Sequence, residues 1–299
     1  MELATVEVDR SHVMLSVLLY SCMWCTLYFI FCLVNYKRSY EWNVRIVTAI
    51  HAIVVTAMSA WCAFVQGPWP FTDAGGRNTP LQQSTICVCL GYFLFDLTWC
   101  LYYQTEGPSM LIHHILSIMG LSVCVLSGCY GTEMIGSICG SEISNPLLQL
   151  RWFLRETGKY NTILGEIVDL AFMFMFGGIR IGIGSYLLYC YFQQDTDVLG
   201  RIGGVALYVL SWVFMVNILA FAYKKYTRKL REWMTRRNKT QASDRSEVVT
   251  TGSKDDNHNL RIRKLAKNGL ITSKNIQNKL VGSDDVIEFS VNRADIITS

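Results

Sequence analysis

Residues Met134 to Leu150 read MIGSICGSEISNPLLQL, and whether this stretch crosses a membrane decides between a chain of six helices and one of seven. It is only weakly apolar, and Glu142 and Pro146 fall within it, so a hydropathy window alone does not settle the matter. Its surroundings fix the class. The 299-residue chain is 51% hydrophobic and 17% charged, against roughly 25% charged residues in soluble domains. Six clearer apolar runs flank the stretch: Val13 to Val34, Val44 to Gln66, Leu81 to Tyr103, Met110 to Tyr130, Val168 to Cys190 and Leu199 to Tyr223. Each approaches the ~20 residues that a helix needs to cross a hydrocarbon core about 30 Å thick. NYKRSYEW follows the first run, with no small-residue cleavage pattern, so that run reads as a retained signal anchor.

Charge supplies a parity argument. Basic residues collect at Lys37 and Arg38, at Arg151, Arg155 and Lys159 in RWFLRETGK, and in KKYTRKLREWMTRRNK after the last run. Cytosolic connections carry the excess of Lys and Arg, so all three belong on one side. The loops GPWPFTDAGGRNTP and QQDTD lack that excess and fall on the other. Lys37 and the tail share a side only if an even number of crossings separates them, which requires Met134 to Leu150 to span. The expectation is an all-α integral membrane protein, a bundle of about seven transmembrane helices (six if Met134 to Leu150 does not span), with the tail cytosolic. Its divisions are the N-terminus and first helix (1–34), a membrane domain (35–226) and a basic tail (227–299). From Lys224 onward the net charge is +8, whereas the rest of the chain is −4.

Beyond Arg237 the tail is rich in Ser, Thr, Asn, Asp and Lys and reads as disordered. Within it, Leu260 to Leu280 fits either a membrane-surface helix or a solvated segment. The 11 cysteines all precede Tyr191, and in apolar runs a thiol acts as a small hydrophobe. Cys22 and Cys25 form a C-x-x-C without a neighbouring His or Asp, which reads as packing.

Ionisable side chains are costly in hydrocarbon and mark a bundle interior or a wet cavity. His51, Asp96, His113, His114, Glu142, Asp169 and Arg180 fall inside apolar runs. At 1.5 Å of rise per residue, His113 and His114 lie about 6 to 8 Å from the cytosolic end, and His51, Asp96 and Glu142 about 10 to 12 Å. This clustering predicts a polar cavity opening towards the cytosol. His113, His114 and Asp96 are the candidate catalytic residues, and His51, Glu142, Asn145 and Asp169 the candidate substrate-binding residues. Consecutive helix residues point about 100° apart, so one histidine is expected to face the cavity while the other bonds a neighbouring helix. For His51 a helix-contact role competes with function, and for Asp96 a structural bridge does so. Pro146 after Glu142 suggests a broken helix whose freed carbonyls line the cavity. With five histidines in the chain, no metal site is expected, because zinc needs three or four convergent ligands.

The ordered signals GYFLFDL with Asp96, HH at His113 and His114, and SEISNPLLQLRWFLRETG resemble the TLC-domain family over about Tyr40 to Tyr226. That family includes ceramide synthases and translocation-associated membrane proteins. The resemblance implies a TLC-type bundle in the endoplasmic reticulum or another endomembrane. In ceramide synthases the paired histidines line a cavity where a fatty acyl group passes from coenzyme A to a sphingoid amine. Carried onto this chain, His113 or His114 takes or relays the acyl group or proton, with acyl-CoA as co-substrate and no bound cofactor. Those enzymes have two aspartates three residues apart after the histidines, whereas this chain has Glu142 and Asn145. One carboxylate is missing, so ceramide synthesis is not carried over.

The expected function is lipid-linked, and whether it is catalysis stays open at this point. One reading is transfer of an acyl group from acyl-CoA to a lipid. The others are a non-enzymatic lipid-binding regulator of membrane composition and a carrier or cargo receptor. Membrane lipids are the expected partners; no nucleic acid is expected, and no protein partner is specified.

Overall fold

A computed structural model of the chain describes residues 9–251, with side-chain environments given through residue 241. The segment Leu260 to Leu280 lies outside the described residues. Helix α1 is Arg10–Val34, α2 is Tyr40–Trp61 with a π-helical extension Cys62–Gln66, α3 is Pro80–Tyr103 and α4 is Pro108–Ser127. Two short helices follow, α5 at Gly131–Glu142 and α6 at Asn145–Glu156. Then α7 (Ile163–Met175), a π-helical run Phe176–Ile183 and α8 (Gly184–Gln193) form one continuous rod, and α9 is Val198–Thr251. No strand occurs among the described residues, and 6 helices are long and apolar enough to cross a membrane.

Local chemistry sets several starts. The Asp9 carboxylate accepts from Ser11 N–H, and the Ser39 hydroxyl accepts from Trp42 N–H, which satisfies amides that the first helical turn leaves unpaired. Thr79 and Gln82 form a reciprocal capping box, with Pro80 in the first turn of α3.

Contacts between helices give the path. Trp24 Nε1 donates to the Val88 carbonyl at 3.2 Å, and the Tyr28 and Phe95 rings lie 5.8 Å apart, so α1 and α3 run parallel. They approach closely at Gly91, where a Cβ would lie 2.8 Å from Ser21 N. The Tyr40 and Tyr103 rings meet at 5.8 Å, which puts the start of α2 beside the end of α3. Asn78 N–H donates to the Gly128 carbonyl, and Gln194 bonds the Phe71 carbonyl and Ala74 N–H. Loops 67–79, 128–130 and 194–197 therefore share one end of the bundle.

The stretch Met134 to Leu150 folds as two short helices, neither of them among the 6 long apolar ones, that run alongside α2. Beside Gly136, on α5, stands Pro70, just beyond α2. Glu142 Oε2 lies 4.0 Å from His51 Nδ1 in mid-α2. Trp152 Nε1, on α6, donates to Glu41 at the start of α2 at 3.1 Å. The pair thus traverses the length of α2 in the opposite sense, broken at Ile143 and Ser144 just before Pro146. Lys37, Arg38 and Lys159 consequently fall at one end, called here the basic end.

Two expected boundaries shift. RWFLRE is helical, placing Arg151 and Arg155 on α6 instead of in a connection. Helix α7 starts at Ile163, so Asp169 lies inside it and not at its start. The chain divides into two compact units after Leu219. In the second, α9 stays helical through Thr251, past Arg237 where disorder was expected. Along that part, Arg228 lies 4.0 Å from Glu232, and Arg237 stacks over Trp233.

Candidate functional site

A cavity of about 120 Å³ opens among α2, α3, α4, the α5–α6 break, α7 and α9. Its apolar walls include Tyr92, Phe93, Phe172, Phe176 and Phe214. Its polar groups include Arg45, Asp96, Glu106, His113, His114 and Glu142.

Both histidines line it, which corrects the expectation that only one would. The cavity wraps around part of α4 and so receives two side chains that diverge from one helix. His114 Nε2 lies 3.6 Å from Asp96 Oδ2, and the two side chains are only 6% and 13% exposed. The His113 ring sits edge-on between Phe93 and Phe214, with centroids 5.9 and 5.6 Å away. The imidazole centroids are 5.9 Å apart.

On the opposite wall, the helix break organises Glu142 and Asn145. Glu142 Oε2 accepts from Asn145 Nδ2 at 2.9 Å, and Asn145 Oδ1 accepts from Gln149 Nε2 at 2.8 Å. Arg180, on the π-helical run, donates from Nε to Ser211 Oγ at 3.0 Å and lies over the Phe176 and Phe214 rings. Helix segments of π type recur at functional sites, where they re-aim a side chain.

Two predicted residues stand back from the cavity. His51 is fully buried, stacked on Tyr92 at 3.6 Å between centroids, with Trp24 edge-on at 5.5 Å. It lies behind Glu142 and Tyr92. Asp169 Oδ1 is 2.7 Å from Arg151 Nε, and its carboxylate also accepts from Tyr160. Asp169 thereby positions Arg151, which does line the cavity.

Sequence reading missed Arg45, Cys100, Glu106 and Arg151. Arg45 Nη2 donates to Glu106 Oε1 at 2.9 Å and lies 3.6 Å from Glu41. Burial raises the Glu106 carboxyl above its ordinary range, opposed by the Arg45 guanidinium. Cys100 follows Asp96 by one helical turn, a spacing visible in the sequence. The pairing of Arg45 with Glu106 spans 61 residues and has no local signal.

A carboxylate beside an imidazole in a largely apolar cavity suits proton transfer, because the carboxylate orients the ring and stabilises its protonated form. A smaller pocket at the basic end is lined by Arg45, Leu148, Arg151, Trp152 and Arg155.

Comparison with known proteins matches residues 41–226 to the TLC domain. TLC domain-containing protein 4 A of Dictyostelium discoideum is 29% identical over 151 residues, covering 49% of this chain and 57% of that protein. TLC domain-containing protein 4 of Homo sapiens is 27% identical over 191 residues, covering 62% and 70% respectively. TLC domain-containing protein 2 of Homo sapiens is 29% identical over 143 residues, covering 45% and 53%. The alignment thus spans little more than half of the Dictyostelium protein. The matched segment takes in the helices that surround the cavity from α2 to α9, and with its apolar crossings the chain belongs to the TLC domain family as a multi-pass membrane protein.

Proposed function

We propose that this protein transfers an acyl group from acyl-CoA to a membrane lipid within the cavity. The observation that carries the reading is the Asp96–His114 pair, held at 3.6 Å in a wall otherwise rich in aromatic rings. An acceptor hydroxyl or amine attacks the thioester carbonyl while an imidazole of the histidine pair takes its proton. The C–S bond then breaks, and the departing coenzyme A thiolate receives that proton. Arg45, Arg151 and Arg155 at the basic end suit the phosphates of the donor. Entry from that end makes it the cytosolic one, and residence in the endoplasmic reticulum or a related endomembrane follows from a lipid substrate supplied there.

Within the family, RSYEW, GPWPFT, LYYQTEG and NPLLQLRWFLRE resemble TLC domain-containing protein 5, also called transmembrane protein 136, while the relatives matched above carry the names of members 4 and 2. The finer kinship is therefore part of the proposal.

The test is incubation of purified protein in lipid vesicles with labelled acyl-CoA, followed by analysis of the acylated lipids. His114→Ala and Asp96→Asn are expected to lower the rate by about 10²- to 10⁴-fold. Unchanged turnover in both, at normal folding, overturns the reading. A second reading, a lipid-binding regulator without chemistry, is favoured by the single carboxylate Glu142 where the synthases have two aspartates. An unmodified phospholipid co-purifying with the protein, with no acyl transfer, supports it.

A further inference from the structure

The ends of α3 and α4 facing the basic end bring together groups that suit a cation. Asp96 and Cys100, one turn apart on α3, and His114 on α4 each present one ligand atom, all within 4.8 Å of one another. The three side chains are largely buried and line the cavity. Beside them Glu106 also lines the cavity, its side chain only 7% exposed. Its Oε1 takes Arg45, while Oε2 has no partner, and His114 Nδ1 has none either. Two carboxylates and a thiol thus face one guanidinium, a local excess of ligand atoms that a bound cation would satisfy.

We propose that Asp96, Cys100 and His114 form a zinc(II) site with its fourth position open to the cavity. Bond lengths of 2.0 to 2.3 Å in a tetrahedron set ligand atoms about 3.3 to 3.8 Å apart. Asp96 Oδ2 and His114 Nε2 are already 3.6 Å apart, so the site closes with a small inward movement of Cys100. A thiolate with an imidazole selects zinc over magnesium or calcium, and three protein ligands with an open position are the pattern of catalytic zinc sites. Glu106 lines the same cavity with an unpartnered Oε2, which makes it the candidate acceptor to support the ligands of a loaded site. The inference goes beyond the acyl-transfer reading. Zinc on Asp96 and His114 takes that pair out of proton transfer, so in the loaded protein the base of the acyl-transfer reading is His113, whose Nδ1 has no partner.

The test is made on the full chain in detergent or nanodiscs, without substrate, so its outcome is independent of acyl transfer. Purified protein loaded with zinc sulfate and desalted is expected to hold about one zinc per chain by elemental analysis. Cobalt(II) substitution is expected to give a thiolate charge-transfer band that Cys100→Ser abolishes. Cys100→Ser and His114→Ala are expected to lose the metal, Glu106→Gln to weaken it about 10- to 100-fold, and His113→Ala to retain it. If the serine variant folds poorly, the cobalt spectrum of the wild-type chain still decides. Absence of a thiolate band, a metal content far below one, or equal metal in wild type and Cys100→Ser overturns the proposal.

Discussion

Asp169 and His51 show how far a side chain's chemistry can be from its task. Both are ionisable residues in apolar helices, and both were candidates for contact with substrate. Asp169 instead holds Arg151 through a buried ion pair, 2.7 Å long, with Tyr160 as a further donor. Removing one partner of a buried pair leaves the other charge uncompensated and costs about 3 to 5 kcal/mol. Asp169→Asn is expected to lower the midpoint of thermal unfolding in detergent, and Asp169→Asn with Arg151→Met to recover part of the loss. Equal melting of the single variant and the wild type sinks the structural role. His51, stacked on Tyr92 behind Glu142, supports the cavity wall without facing it. At this scale the sequence showed which residues are costly to bury, because cost depends on residue type, but not which of them share a void.

Among the elements, α1 and α3 lie close along parallel paths because position 91 lacks a side chain. A Cβ there would come within 2.8 Å of both Ser21 N and Tyr20 Cβ, and backbone atoms yield little. Gly91→Leu is expected to destabilise the fold by about 1 to 3 kcal/mol as the helices separate, read as a lower unfolding temperature. A variant that melts with the wild type contradicts the contact. The α5–α6 break works in the opposite direction, ending one helix so that Glu142 and Asn145 can bond across the gap at 2.9 Å. Pro146 announced that break in the sequence. The extent of α6 was hidden, since RWFLRE looks like a charged connection until Trp152 bonds Glu41 and Trp42 packs on Phe153 at 4.7 Å.

For the whole molecule, the alternation of ends is the testable consequence. Epitope tags inserted at 36–38 and at 158–160 are expected on the same face of the membrane, and a tag at 73–75 on the opposite face, by antibody access after selective permeabilisation. Tags at 36–38 and 158–160 on opposite faces would remove the crossing by α5 and α6. Long apolar runs determined the helical class and the six long apolar helices, and the placement of Lys and Arg set the expected alternation of ends. Those properties arise between each segment and its solvent, so each segment carries its own signal. The cavity was legible only as a tendency of ionisable residues to gather near one end. That Asp96, Cys100 and His114 lie within 4.8 Å, that both histidines reach one space, and that Arg45 meets Glu106 were decided by tertiary structure. Distances between side chains on different helices depend on helix rotation and packing, which no single segment encodes.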